Sequence, residues 1–149
     1  MRTFFKNFII FCVGFTVYMC IEGVWKTVIN PDGVQSYYMG LLAGTTTLVV
    51  GYLNKWFTWE MPLVLQLAIG TIANTLMEFI FGLILNVWLG LGIWDYSSLP
   101  GNIMGQVCWQ FSIAWIFLTL LQILTDDYLR YLIYGEEKPH YHLLRWGKH

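Results

Sequence analysis

The sequence predicts an all-α fold, a polytopic membrane helical bundle, and its composition carries that prediction. Hydrophobic residues make up 57% of the 149 residues and charged residues only 11%, whereas about 25% of a typical soluble domain is charged. The mean hydropathy is +0.57. Four long runs each contain at most one charged side chain, and about 20 apolar residues suffice for a helix to cross a bilayer. We therefore expect one domain with four transmembrane helices.

The apolar runs define a transmembrane domain over residues 1–125, followed by a cytoplasmic tail over residues 126–149. The predicted spans lie at about 4–22, 37–53, 62–85 and 103–124. The tail begins as a predicted amphipathic helix and becomes polar after Gly135.

Turn-forming residues mark the breaks between the predicted spans. Asn30-Pro31-Asp32-Gly33 is a strong turn signal between the first two spans. Three glycines within residues 82–92 favour a second break. Two arrangements stay open there, because this segment can extend the third span or form a fifth short or re-entrant helix near 83–95.

The basic residues are distributed unevenly between the two sides of the predicted bundle. Lys and Arg near span ends concentrate on the cytoplasmic side of a membrane. One side carries only Lys26, and the other, which holds both termini, carries Arg2, Lys6, Lys55, Arg130, Lys138, Arg145 and Lys148. We therefore expect both termini in the cytoplasm and the loop Trp94-Asp95-Tyr96-Ser97 on the outside.

Polar and small residues recur every four residues along the predicted third span. The row contains Gln66, Gly70, Asn74, Glu78, Gly82 and Asn86. Such a row forms one ridge on a helix surface, and small or polar ridges let membrane helices approach closely and hydrogen-bond. The fourth span opens with the same spacing, at Asn102, Gln106 and Gln110. We assign helix packing to five glycines, which are Gly40, Gly44, Gly70, Gly82 and Gly105.

Three carboxylates converge on the predicted outer side of the membrane. Glu22 ends the first span, Glu78 lies in the outer half of the third span, and Asp95 lies in the outer loop. A charged side chain in the hydrocarbon costs about 2.5–3.5 kcal/mol on insertion scales, so we expect Glu78 to face away from the lipid. Polar groups placed at this cost are candidates for function.

These carboxylates have a functional and a structural interpretation. They can line an outward-facing acidic, aromatic-lined cavity that binds a cation or an organic substrate, or passes protons. They can instead accept hydrogen bonds that lock helix ends and the loop, as Asp side chains do in turns. The candidate binding residues are Glu22, Glu78, Asp95, Tyr96, Asn74, Asn102 and Gln106.

Several classes of function lack support in the sequence. The basic residues are dispersed, so we expect no nucleic-acid binding. No phosphate-binding loop is present, so the chain carries no ATPase of its own. The sequence shows no nucleophile paired with a base. We therefore assign no catalytic residue and do not favour an enzyme. We expect neither a cofactor nor a metal, because His140, His142 and His149 lie in the tail without a defined ligand geometry.

A set of residues between positions 77 and 115 resembles a known family. The set comprises Met77-Glu78, Phe81-Gly82, Trp94-Asp95-Tyr96-Ser97, Asn102-Ile103, Gly105, Ser112 and Trp115. Tyr18 and Glu22 also fit the family's pattern, at the end of the first span. Over roughly residues 15–120 the chain resembles the putative ABC-transporter type IV, or CmpB-like, multi-pass membrane proteins. The resemblance implies a transporter permease that works with a separate ATPase in a bacterial inner membrane.

The sequence favours a small transport or channel-type subunit in the lipid bilayer. Four spans of this size rarely enclose a pathway alone, so we expect a homo-oligomer or a separate partner protein. Two alternatives stay open. One is a structural or regulatory membrane protein whose acidic groups only lock the fold. The other is an intramembrane enzyme that uses Glu78 with Asp95 or Glu22 as an acid/base pair.

Overall fold

The described part of the chain is helical throughout. A computed structural model describes residues 2–29, 36–57 and 59–144. Its helices are α1 (Arg2–Val28), α2 (Tyr37–Gly51), α3 (Leu53–Phe57), α4 (Leu63–Gly82), which continues as a π-helical segment (Leu83–Trp88), and α5 (Trp109–Tyr134). These residues contain no strand, only one isolated bridge, so the predicted all-α class is confirmed. The predicted turn at residues 30–33 lies outside the described residues, as does His149.

Three of the helices are long and apolar enough to cross a membrane. They are Thr3–Val28, Leu63–Trp88 and Trp109–Tyr134, each of 26 residues. At about 1.5 Å per residue, such a helix exceeds the roughly 30 Å of a bilayer's hydrocarbon core. The predicted membrane helices are thus confirmed for three segments. The 15 residues of α2 span only about 22 Å, so α2 alone is shorter than the predicted second span.

The third predicted span continues beyond its expected end. Helical structure reaches Trp88 through the π-helical segment, and residues 89–108 then form a loop. Neither a fifth short helix nor a re-entrant helix occurs in this part of the chain. Of the two arrangements left open by the sequence, the extended third span is the one observed.

The last helix is shifted along the sequence relative to the predicted span at 103–124. It begins at Trp109 because the backbone before it turns back on itself. Ile103 N–H donates to the Val107 carbonyl at 2.9 Å, and Met104 and Gly105 have positive φ angles, which an α-helix cannot include. The helix then runs to Tyr134, so the predicted amphipathic start of the tail belongs to α5.

The bundle buries polar residues and exposes apolar ones. The central helix α2 packs against α1, α4 and α5. On α4 the buried residues are Gln66, Gly70, Asn74, Glu78 and Gly82, which form the four-residue row seen in the sequence. The opposite face exposes Ile72, Leu76 and Ile80. An apolar solvent such as lipid favours this distribution, because polar groups must then find partners inside the protein.

Glycines on the buried faces bring the elements close together. Gly40 and Gly44 lie against Phe15 and Phe11 of α1, respectively, and Gly70 lies against Thr119 of α5. Gly82 lies where α4 contacts the loop 89–108. A Cβ atom at Gly82 would lie 2.6 Å from Gln106 Oε1, so only glycine lets the loop approach α4 this closely.

Candidate functional site

A cavity of about 520 Å³ lies at the end of the bundle where α1, α4 and α5 meet the loop 89–108. Its polar and aromatic lining includes Tyr18, Glu22, Glu78, Asp95, Tyr96 and Trp115. We call it the acidic cavity. It brings together four of the seven predicted binding residues, Glu22, Glu78, Asp95 and Tyr96, from α1, α4 and the loop.

Glu78 is a buried carboxyl group held by two uncharged donors. Its side chain is only 1% exposed. Tyr96 donates its hydroxyl to Oε1 at 3.1 Å, and Trp115 donates its indole N–H to Oε2 at 2.8 Å. None of the described Lys, Arg or His side chains forms an ion pair with Glu78. Because a buried polar group is costly unless it is hydrogen-bonded, these two donors stabilise Glu78 inside the bundle.

Glu22 enters the same cavity from α1 and is paired on one side only. Lys26, one helical turn later, places its ammonium 3.1 Å from Glu22 Oε1. The other oxygen, Oε2, is buried and has no hydrogen-bond partner among the described residues. Glu22 is 9% exposed, so bulk water has little access to this oxygen. The cavity therefore contains an acceptor with spare capacity.

Asp95 both shapes the loop and lines the cavity. Its Oδ1 accepts a hydrogen bond from the backbone N–H of Ser97 at 2.8 Å. The hydrogen bonds from Ser97 lower the pKa of Asp95 below its usual value, so the carboxylate is charged at neutral pH. Gly105 passes beside it with φ 69°, and a Cβ atom there would lie 2.7 Å from Asp95 Oδ1. Gly105 thus permits the loop to close on Asp95, rather than packing two helices as the sequence suggested.

Tyr96 connects the loop to Glu78. Its ring stacks on Phe111 at the start of α5, with 4.7 Å between the ring centroids, and its backbone N–H donates to the Gly105 carbonyl at 2.8 Å. Burial, together with the nearby charge of Glu78, raises the pKa of Tyr96. The hydroxyl therefore stays protonated and can keep donating to Glu78.

Asn102 and Gln106 build the loop and do not line the cavity. The amide of Asn102 donates to the Leu99 carbonyl at 2.7 Å and accepts from Gly105 N–H at 3.0 Å. Gln106 Oε1 accepts from the Asn86 amide at 2.8 Å, and its backbone carbonyl accepts from the Trp94 indole at 2.9 Å. Asn102 and Gln106 therefore lie in the loop and only Gln110 of the predicted row lies in α5. The two loop amides hold the loop against the end of α4.

Asn74 lies one turn before Glu78 but belongs to a separate polar group. Its amide donates to Thr119 Oγ1 and to Gln122 Oε1, both at 2.8 Å. Gln122 in turn donates to Thr46 Oγ1 at 2.8 Å. We call these four residues the polar seam, because they join α2, α4 and α5 through side-chain hydrogen bonds. Asn74 does not line the acidic cavity.

Several residues of the site were absent from the predicted candidates. Trp115 and Tyr18 line the cavity, and their rings stack with 6.4 Å between centroids. Both were already among the residues that carry the family resemblance, which was the signal for them. Asn86 was another omission, although it continues the four-residue row of Glu78. It donates to the Trp94 carbonyl at 3.0 Å and accepts from Ile93 N–H at 2.6 Å.

The opposite end of the bundle holds a network of ion pairs. Glu136 lies 3.1 Å from Lys6 Nζ and 3.6 Å from Lys55 Nζ, and Arg130 Nε lies 2.6 Å from Asp126 Oδ2. The segment after α5 folds back here, so that Leu63 N–H at the start of α4 donates to the His142 carbonyl at 2.7 Å. No group of side chains with metal-binding geometry occurs among the described residues.

Apolar helices of membrane-spanning length that enclose buried polar groups define a helical integral membrane protein. The chain belongs to the putative ABC-transporter type IV family, whose sequence model matches residues 5–135. The resemblance predicted from residues 77–115 is thus confirmed. The family's name associates the chain with transport. No solved structure matches it.

Proposed function

We propose that the protein is a small transport or channel-type subunit whose acidic cavity receives the transported species from the outer side of the membrane. Glu78 carries this proposal. It is buried in the wall of a cavity of about 520 Å³ and has no basic partner among the described residues. Ionisable groups inside a membrane usually face a bundle interior or an aqueous cavity and mark a pathway.

The proposed topology has four crossings with both termini in the cytoplasm. The 15 residues of α2, the linking Tyr52 and the five residues of α3 make 21 residues, about 31 Å if fully helical. Their length supports the fourth crossing. The seven-to-one distribution of basic residues supports the orientation, which puts the acidic cavity outside and the ion-pair network inside. We propose a bacterial inner membrane as the location.

We further propose that the subunit works as a homo-oligomer or with a separate partner protein. Four crossings enclose little space of their own, and the polar seam fills the middle of the bundle with hydrogen-bonded side chains. The chain lacks a phosphate-binding loop, so a transporter of the kind that the family name describes would need an ATPase on another chain.

A structural role is the second candidate, and one observation favours it. Glu78 accepts from Tyr96 of the loop and from Trp115 of α5, so the carboxyl group joins three parts of the fold. In that case the cavity beside Glu78 would have no ligand, and the acidic groups would only hold the loop in place.

Uptake into vesicles separates the two candidates. The full chain is reconstituted, and entry of Rb⁺ and of ethidium is followed for the wild type, Glu78→Gln and Glu137→Gln. Glu78→Gln keeps an acceptor for Tyr96 or Trp115 but removes the ionisable carboxyl group, so we expect its uptake to fall about tenfold or more, with Glu137→Gln unchanged. Glu137 is exposed at the opposite end of the bundle and is a matched control. Uptake no higher than in empty vesicles would contradict transport, and uptake above that level that is equal in all three proteins would contradict the role of Glu78.

A further inference from the structure

The chain itself places an ammonium group in the acidic cavity. Lys26 lies in the cavity wall with its Nζ 3.1 Å from Glu22 Oε1. The second oxygen of Glu22 is buried without a hydrogen-bond partner among the described residues. Glu22 is therefore a carboxylate of the cavity wall that already pairs with one ammonium group, and no hydrogen bond from the described residues holds its second oxygen.

The charges around the cavity are complementary to a cation. Three carboxylates line it, those of Glu22, Glu78 and Asp95, whereas Lys26 is the one basic side chain among its described lining residues. Glu78 and Asp95 take their hydrogen bonds from uncharged groups. An anionic ligand would meet repulsion from Glu22 and Asp95, and a neutral one would leave the charge of Asp95 without a counter-charge.

The remaining lining is aromatic and aliphatic. Rings of Tyr18, Trp25, Trp94 and Trp115 lie in the cavity wall, and aromatic faces attract organic cations such as quaternary ammonium groups. Phe117 and Leu121 of α5 also line it, and they are 68% and 43% exposed on the apolar surface of the bundle. The cavity volume of about 520 Å³ suits an organic molecule rather than a bare ion.

On the basis of the proposed function, we infer that the acidic cavity binds an amphiphilic organic cation. Its ammonium-type head contacts Glu22 and Glu78 and takes the place of the Lys26 ammonium on Glu22. Its apolar part lies along the aromatic wall towards Phe117 and Leu121, where it reaches the lipid-facing surface of α5.

Binding to the full chain in nanodiscs of zwitterionic lipid tests this inference. The probe is dodecyltrimethylammonium, and binding is followed by the change in tryptophan fluorescence. We expect saturable binding of this cation, and dodecyl sulfate or dodecyl maltoside, each added alone, should bind at least about tenfold more weakly. Tetramethylammonium, which lacks the apolar chain, should bind about tenfold more weakly or not at all. These comparisons separate recognition of the head from recognition of the chain.

Three variants locate the binding. Glu22→Gln should weaken the apparent Kd about tenfold, because it removes the carboxylate that receives the head. Lys26→Met should tighten it about threefold, because it removes the competing ammonium. Glu137→Gln, at the opposite end, should leave it unchanged. Equal binding of dodecyl sulfate, or no loss in Glu22→Gln, would overturn the inference.

Failure of the inference and failure of the proposed function give different results. Saturable binding of the cation without uptake of Rb⁺ or ethidium would retain the binding site and reject transport. Uptake that depends on Glu78 without binding of dodecyltrimethylammonium would retain transport and reject this class of ligand. If Glu78→Gln does not fold, Glu22→Gln still decides the ligand class, because Glu22 lies near the end of α1 and has no hydrogen bond to the loop.

Discussion

At the scale of single residues, the hydrogen bonds of Glu78 and the shape of the loop beside it determine the site. Each oxygen of Glu78 accepts from one donor, Tyr96 or Trp115. The loop can bring Tyr96 to Glu78 because Gly105, with its positive φ, passes close beside Asp95. A substitution that removes a donor or adds a Cβ atom here should therefore have a measurable effect.

Trp115→Phe should destabilise the protein. It retains an aromatic ring but removes the N–H that donates to Glu78 Oε2, which leaves a buried acceptor unpaired. We expect a loss of about 1–3 kcal/mol in the free energy of unfolding, measured in detergent or in bilayers. Trp109→Phe is the control, because Trp109 is 54% exposed. Equal stability of the two variants would mean that the Trp115–Glu78 hydrogen bond contributes little.

Gly105→Ala should disturb the loop more than Gly90→Ala does. Both glycines have positive φ angles, 69° and 66°, so both substitutions carry the conformational cost of about 1–2 kcal/mol. A Cβ atom at Gly105 also meets Asp95 Oδ1 and Ser97 Oγ, whereas one at Gly90 meets nothing within 4 Å. We expect thermal unfolding to show a larger loss for Gly105→Ala, and the same loss in both variants would contradict the described loop packing.

At the scale of elements, the row on α4 organises the bundle. Helical periodicity is a local property, so the row from Gln66 to Gly82 could be recognised in the sequence and was then found as the buried face of α4. The spacing at Asn102 and Gln106 was the same but misleading, because contacts with Asn86 and with Gly82 fold that segment into a loop. Periodicity alone does not reveal such tertiary contacts.

A double-mutant cycle tests the polar seam between α4 and α5. Asn74→Leu and Gln122→Leu each remove one partner of the 2.8 Å hydrogen bond between these side chains. We expect a coupling free energy of about 0.6 kcal/mol, the average for hydrogen bonds between membrane helices, and at most about 1.7 kcal/mol. Thr45→Val with Gln122→Leu serves as a control pair, because the Thr45 hydroxyl donates its hydrogen bond to the Leu41 carbonyl of its own helix. A coupling energy near that of the control pair would show that the seam does not join the two helices.

At the scale of the whole molecule, the two ends of the bundle carry different chemistry. One end has the acidic cavity, and the other has the network around Glu136, which joins the start of α1 to the segment after α5. Lys6 and Glu136 are 130 positions apart, so no local pattern could predict their contact. The apolar composition did predict membrane helices, because hydropathy is an average that long-range contacts do not alter.

The network around Glu136 should make stability depend on pH. Burial alone would raise the pKa of Glu136, but Lys6, Lys55 and Arg130 outweigh it and hold the pKa below the ordinary 4.5. A carboxyl group whose pKa is lowered on folding stabilises the fold above its unfolded-state pKa, and this contribution is lost as the pH falls through the folded-state pKa. The wild type should thus unfold at a higher temperature than Glu136→Gln at pH 7, and the difference should shrink below pH 4.5.

Glu137→Gln is the matched control for this pH dependence, because Glu137 is the neighbouring residue and its side chain is 66% exposed. Thermal unfolding from pH 7 to pH 3 compares the three proteins. A difference between wild type and Glu136→Gln that stays constant over this range would show that the ion pairs do not stabilise the fold.

The central claim is that Glu78 faces a ligand in the acidic cavity and does more than lock the loop. Labelling with dicyclohexylcarbodiimide, which reacts with protonated carboxyl groups in apolar surroundings, tests it at this single residue. Mass spectrometry of the full chain in nanodiscs should find the label on Glu78, and saturating dodecyltrimethylammonium should slow that labelling about tenfold, in proportion to the occupied fraction of sites. Labelling of Glu78 at the same rate with and without the cation would contradict the claim.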